Sequence, residues 1–178
     1  FPYYMNTYGI HGIHGRAPAI ATGLKIVRPD LQVWVITGDG DGLSIGGNHF
    51  IHVVRRNPEL KIVLFNNRIY GLTKGQFSAS ADVGAKLKKG EVNQMGPIDP
   101  VFLGLSIGAT FLARSFSGDK RQLVPVLIAA LKHRGLALVD VIPPCVTFND
   151  HEGSTKSYLY TRKHEKQVAR ADFVPPAE

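Results

Sequence analysis

The chain has 178 residues, a net charge of +7, 44% hydrophobic and 20% charged residues, a composition that supports one packed domain and leaves little room for two. No apolar run nears the roughly 20 residues of a membrane helix, and no signal-peptide pattern opens the chain, so no membrane partner is expected. The single cysteine, Cys145, excludes an intrachain disulfide and fits the cytoplasm.

Lys and Arg gather at Lys86–Lys89 and between Tyr158 and Arg170. A positive balance suits nucleic acid, an anionic cofactor or an acidic protein. A solvated face is the simpler reading, and with no zinc-finger, RNA-recognition or basic-zipper pattern no nucleic-acid partner is expected. The chain opens on apolar Phe1-Pro2-Tyr3-Tyr4 and ends on a loop-like 171–178 stretch. Residues 1–178 therefore read as a single domain cut at both ends from a longer subunit.

In chain order, a helix is expected over Ala17 to Val27, ahead of Arg28-Pro29. Gln32 to Thr37 and Lys61 to Phe65 are short apolar runs that read as buried strands. Between them a helix is expected over Ser44 to Asn57, anchored by Ile45, Ile51 and Val54, and stopped by Pro58, which disfavours helix at the residue before it. A strand–helix–strand unit of this kind predicts a parallel pair with a right-handed crossover. Gly71 to Pro100 reads as a long loop with a short helix at Asp99-Pro100, and loops of such length are functional or disordered. Ala109 to Ala113 reads as a strand, and Asp119 to His133 as an amphipathic helix with Leu123, Val126, Leu127 and Leu131 inward. Leu136 to Ile142 reads as a strand buried on both faces. The alternation predicts an α/β layered domain on a parallel sheet.

Gly38-Asp39-Gly40-Asp41-Gly42 falls at the carboxyl end of the first strand, where ligands of parallel sheets collect. Glycines let a backbone approach an anion, but carboxylates beside a phosphate repel it unless a hard cation such as Mg²⁺ lies between. Asn66-Asn67 ends the next strand, so one strand–helix–strand unit brings Asp39 and Asn67 together as hard oxygen donors. A calcium loop would want an oxygen donor at Leu43 and Glu at Phe50. A dinucleotide fingerprint would want glycine at Leu43. The pairs His11/His14 and His49/His52 lack further ligands and read as ordinary histidines.

Gly-Asp-Gly followed at this distance by Asn-Asn is similar to the thiamine diphosphate signature, and implies a three-layer α/β thiamine diphosphate-binding fold. Thr37 to Phe50, together with Asn66-Asn67-Arg68-Ile69-Tyr70-Gly71-Leu72-Thr73-Lys74-Gly75-Gln76, resembles the beta subunits of 2-oxoacid:ferredoxin oxidoreductases, the 2-oxoglutarate type most through Leu72 to Gln76. The resemblance extends to the Phe173-Val174-Pro175-Pro176 tail. It implies that Asp39, Asn67 and the Ile69 carbonyl ligate Mg²⁺, that Gly40, Asp41, Gly71, Leu72 and Thr73 line the diphosphate, and that His14 and Arg16 lie near the cofactor. Lys74 is expected to recognise the 2-oxoacid carboxylate. Cys145 resembles the last ligand of a 4Fe–4S cluster whose other three cysteines lie upstream of this chain.

The implied reaction is CoA-dependent oxidative decarboxylation of a 2-oxoacid with electrons passed to ferredoxin, in a heteromer whose alpha subunit supplies the activating glutamate. A non-oxidative thiamine-dependent decarboxylase or synthase, or a cofactor-free structural subunit of the same fold, remain as alternatives. Two departures from the family pattern, Arg16-Ala17-Pro18 and Ser78-Ala79-Ser80, touch no implied metal ligand.

Overall fold

A computed structural model describes residue 3, residues 5–87 and residues 89–164. Phe1, Pro2, Tyr4, Lys88 and the 165–178 stretch, including the Phe173–Pro176 tail, lie outside the described residues. The elements in chain order are α1 (Ala17–Val27), β1 (Trp34–Gly38), a π-helical turn (Gly40–Ile45), α2 (Gly47–Arg56), β2 (Lys61–Phe65), β3 (Ile69–Tyr70), β4 (Gln76–Phe77), α3 (Pro100–Ser106), β5 (Phe111–Phe116), α4 (Lys120–Lys132), β6 (Ala137–Ile142) and α5 (Tyr158–Lys163). The order β1-β2-β6-β5 forms a fully parallel sheet, and β3 and β4 form a small antiparallel hairpin.

Successive strand side chains point to opposite faces, and the buried residues divide accordingly. Val35, Ile62, Leu64 and Leu138 pack on one face with Ala21 of α1, Phe50, Val53 and Val54 of α2, and Leu103 near α3. Val63, Ala137, Val139 and Val141 pack on the other with Leu123, Val126, Leu127 and Ala130 of α4. Helices therefore cover both faces, giving the three-layer arrangement expected. All six residues of β6 are buried, and each apolar one contributes roughly 1.5–3 kcal/mol of burial.

α1 and β2 have the expected limits, and α2 stops at Asn57, which adopts φ 49° in front of Pro58. Three expectations are corrected. The helix expected over 44–57 starts at Gly47, because a wider π turn occupies Gly40–Ile45, and this offsets the helical phase: Ile45 is 45% exposed while Phe50, Val53 and Val54 are buried. Leu131, expected inward, is 42% exposed, since α4 is ending there. The third strand runs from Phe111 to Phe116 rather than 109–113, because polar Arg114 and Ser115 continue it inside the fold. The 71–100 loop also carries β4 and an isolated bridge between Lys86 and Val92.

Among the described residues no helix is long and apolar enough to cross a membrane.

Candidate cofactor and metal site

β1 ends at Gly38 and β2 at Phe65, so the Gly-Asp-Gly and Asn-Asn segments emerge side by side at the carboxyl edge of the sheet. Asp39 is 1% exposed. Three donors converge on its Oδ2: the Arg68 amide at 2.7 Å, Ser78 Oγ at 2.6 Å and Ser80 Oγ at 2.5 Å. Ser80 Oγ also stands 2.9 Å from Asn66 Oδ1. With one proton to give, it donates to the carboxylate, the charged and closer acceptor. Loading one oxygen in this way fixes the carboxylate's rotation.

Arg68 follows Asn67 directly, so its amide bond to Asp39 draws the Asn67 corner against the first strand end. Asn67 Oδ1 accepts from the Ile69 amide at 3.2 Å, and its backbone carbonyl accepts from Asn149 Nδ2 at 2.8 Å. Arg68 reaches this position with φ 69°, a left-handed conformation costly for a residue with a Cβ and commoner at functional sites than elsewhere. Its guanidinium pairs with Asp82 and Thr155, and burial, then Arg114, pull its pKa down to about 10.

Gly40 is required by close packing. A Cβ there would fall 2.6 Å from the Tyr70 ring, whose hydroxyl donates to the Gly40 carbonyl at 2.9 Å. Asp41 turns towards the amino-terminal loop: Oδ1 accepts from His14 Nδ1 at 2.7 Å and the Gly15 amide at 2.9 Å, and Oδ2 from Thr37 Oγ1 at 2.6 Å. Burial alone would raise its pKa, yet the bonds from Thr37, His14 and Gly15 hold it below the usual carboxylate value. His14 is thus brought to the Gly-Asp-Gly turn through Asp41. Arg16 stays exposed, with Nη1 donating to the His14 carbonyl.

Gly71, Leu72, Thr73 and Lys74 form the tip between β3 and β4. Leu72 is 89% exposed, Thr73 Oγ1 donates to Gln76 Oε1 at 2.5 Å, and Lys74 adopts φ 77° with its side chain in solvent. The segment after β6 packs on this hairpin: a Cβ on Gly71 would lie 4.0 Å from Cys145 Sγ, and one on Gly75 would lie 3.0 Å from the Phe148 ring. Cys145, half-buried and free, therefore stands beside the tip. Of the four histidines paired in the sequence, only His14 meets a carboxylate of this site, and no cluster of three metal-ligating side chains occurs among the described residues.

Sequence reasoning noticed Ser78 and Ser80 only as a departure from a family pattern. Their spacing carries a usable signal, since hydroxyls two apart in an extended segment share a face. Tyr70 and Asn149 were also missed, as each acts through a partner distant in sequence, whereas Thr37 meets Asp41 only four residues on.

The donor set of a one-sidedly loaded carboxylate, an amide oxygen and a carbonyl-bearing strand start fits a hard divalent cation. The description "Thiamine pyrophosphate enzyme, C-terminal TPP binding domain" matches residues 1–141. The chain is 57% identical over 180 residues to a 2-oxoglutarate oxidoreductase subunit KorB of Mycobacterium tuberculosis, covering 97% of this chain and 48% of that protein. It is 42% identical to a 2-oxoacid:ferredoxin oxidoreductase subunit beta of Saccharolobus solfataricus, covering 94% and 53%. The chain thus spans about half the length of these curated relatives. A solved 2-oxoglutarate:ferredoxin oxidoreductase from Magnetococcus marinus, with 2-oxoglutarate, coenzyme A and succinyl-CoA bound, superposes with TM-score 0.84 at 38% identity, over 91% of this chain and 55% of that one. A thiamine diphosphate-dependent decarboxylase from Rhodococcus jostii RHA1 shares the fold at TM-score 0.52 and 20% identity.

Proposed function

Since the chain belongs to the thiamine pyrophosphate enzyme family, as a C-terminal TPP binding domain, we propose that it is the cofactor-holding part of a cytoplasmic 2-oxoacid:ferredoxin oxidoreductase beta subunit. One observation carries this reading: the buried Asp39 carboxylate, its Oδ2 saturated by three donors, beside the Asn67 corner and the bare Gly40. Asp39, Asn67 and the Ile69 carbonyl would hold Mg²⁺, and Gly40, Asp41, Gly71, Leu72 and Thr73 the diphosphate. Bound thiamine diphosphate supplies the electron sink for cleaving the bond to the departing carboxylate, and the protein supplies position and charge.

His14 is held by Asp41 at the turn, where it orients the amino-terminal loop and Arg16 towards the cofactor. Lys74, free in solvent at the hairpin tip, presents an ammonium to the carboxylate of the 2-oxoacid. Cys145 contributes one thiolate to an iron–sulfur cluster completed by cysteines outside this chain. The proposed partners are an alpha subunit, ferredoxin, coenzyme A and a 2-oxoacid, 2-oxoglutarate being favoured by the named relatives.

The test is calorimetric titration of thiamine diphosphate into the assembled, full-length enzyme with and without Mg²⁺. Asp39→Ala is expected to weaken Mg²⁺-dependent binding beyond the roughly 10–100-fold that outer-shell partners are worth; unchanged affinity overturns the reading. Lys74→Ala is expected to raise KM for the 2-oxoacid with cofactor affinity nearly intact, and equal loss of both removes Lys74 from its role.

A further inference from the structure

Beside Asp39 and away from the hairpin tip, a cavity of about 80 Å³ opens among Asn66, Arg68, Ser80, Asp99, Arg114 and Lys156. Its cations differ in how they are matched. Arg114 is paired twice, donating to Asp140 Oδ2 and Asp99 Oδ1, each at 2.7 Å. Arg68 spends its guanidinium terminus on Asp82, but its Nε is buried without an acceptor. Lys156 is 6% exposed, and among the described residues its ammonium meets no carboxylate within ion-pair distance. A buried ammonium whose nearest carboxylates, Asp140 and Asp39, act on it only from beyond ion-pair distance is costly, and it lines this space together with the Arg68 side chain.

We propose that this cavity binds a small monovalent oxyanion of the carboxylate or bicarbonate class, held by the Lys156 ammonium beside the Arg68 guanidinium. Size and charge select that class. A water molecule needs roughly 10–15 Å³ of such space, so the cavity takes a group of several heavy atoms. Asp99 in the wall, Asp140 behind the Arg114 pair and Asp39 behind Ser80 oppose a second negative charge and so disfavour a phosphate dianion. Asp140 Oδ1, also buried without a donor, stands outside the lining. Ser80, which donates to the Asp39 carboxylate, also lines the cavity, so the two sites touch through one hydroxyl.

The experiment uses the full-length assembled protein in a sulfonate buffer, with ¹³C-bicarbonate and ¹³C-acetate as probes read by ligand line broadening. Wild type is expected to give saturable broadening, weakened at least tenfold in Lys156→Met, partly restored in Lys156→Arg and unaffected in Lys74→Ala. Thiamine diphosphate binding, read separately, stays in place in the Lys156 variants, so failure here is distinct from failure of the cofactor reading. Stronger competition by bicarbonate assigns an inorganic source, and stronger competition by acetate an organic acid. Should Lys156→Met fail to fold, Lys156→Gln, which removes the charge but keeps a polar end, carries the same expectation. No saturable binding to wild type, equal binding in the charge-free variant, displacement by chloride alone, or loss in Lys74→Ala instead would each overturn the proposal.

Discussion

The two edges of the parallel sheet each bury a lysine and treat it differently. At the amino edge, Lys61 opens β2, is 1% exposed, and donates to the carbonyls of His133 at 2.6 Å and Gly135 at 3.0 Å. Beside it, Asn57 Oδ1 accepts from the Leu136 amide at 2.8 Å and Thr110 Oγ1 at 3.0 Å, tying the starts of β5 and β6 together. At the carboxyl edge, Lys156 has no such carbonyls among the described residues, and orphaned polar atoms occur nearby at Arg68 and Asp140. Burial lowers both lysines' pKa values, that of Lys156 to about 8. A polar group buried and satisfied closes a fold, whereas one buried and unsatisfied must be stabilised by something else. The amino edge is finished structure; the carboxyl edge is built for occupants.

The largest effect that would sharpen this contrast lies at Lys156. Its folded pKa is depressed from 10.5 to about 8. Below pH 8 the folded state bears the whole cost of the buried charge. Between pH 8 and 10.5 the unfolded chain holds a proton that the folded chain has released, so stability rises with pH. In buffer free of binding anions, urea unfolding is expected to show wild type gaining about 3 kcal/mol across that window relative to Lys156→Met, at ~1.4 kcal/mol per pKa unit. Parallel pH profiles would break the contrast.

Next in size, Lys61→Met leaves two carbonyls without their donor and is expected to cost about 2 kcal/mol in urea unfolding, with no change in cofactor affinity. A loss of cofactor binding there would show that the two edges are not separate. The smallest effect expected is at Ser80. Ser80→Ala removes one of three donors on Asp39 and should weaken Mg²⁺ affinity of the assembled enzyme about tenfold, ~1.4 kcal/mol, as read by Mn²⁺ competition in electron paramagnetic resonance. Ser80→Thr should restore it.

How much of this was legible in the sequence follows from the range of each interaction. α1, β2 and the stop at Asn57 were readable because apolar spacing and Pro58 act within one turn or strand. The strand ends bearing Asp39 and Asn67 were readable for the same reason, as each follows a short apolar run. The phase of Ile45 was not, because the π turn arises where Gly46 meets Gly15, with a Cβ on Gly15 lying 2.7 Å from the Gly46 amide. The extension of β5 was hidden by Arg114, a charge that enters the fold only because Asp140 and Asp99 await it. The Asp39 clamp joins residues about 40 positions apart, and no local pattern announces Ser78 and Ser80 as its donors.

The Tyr70 ring lying against Gly40 separates two histories that the motif would otherwise merge. A descendant that abandoned its coenzyme would still be forbidden any larger residue at Gly40, because the aromatic wall, not the ligand, occupies that space. Asp39 bears no comparable steric obligation, but its loss would strand the Arg68 amide and the Ser78 and Ser80 hydroxyls in the interior. Among distant descendants of this chain, the glycine therefore records only that the fold survived, and the aspartate is informative when read together with its two serines.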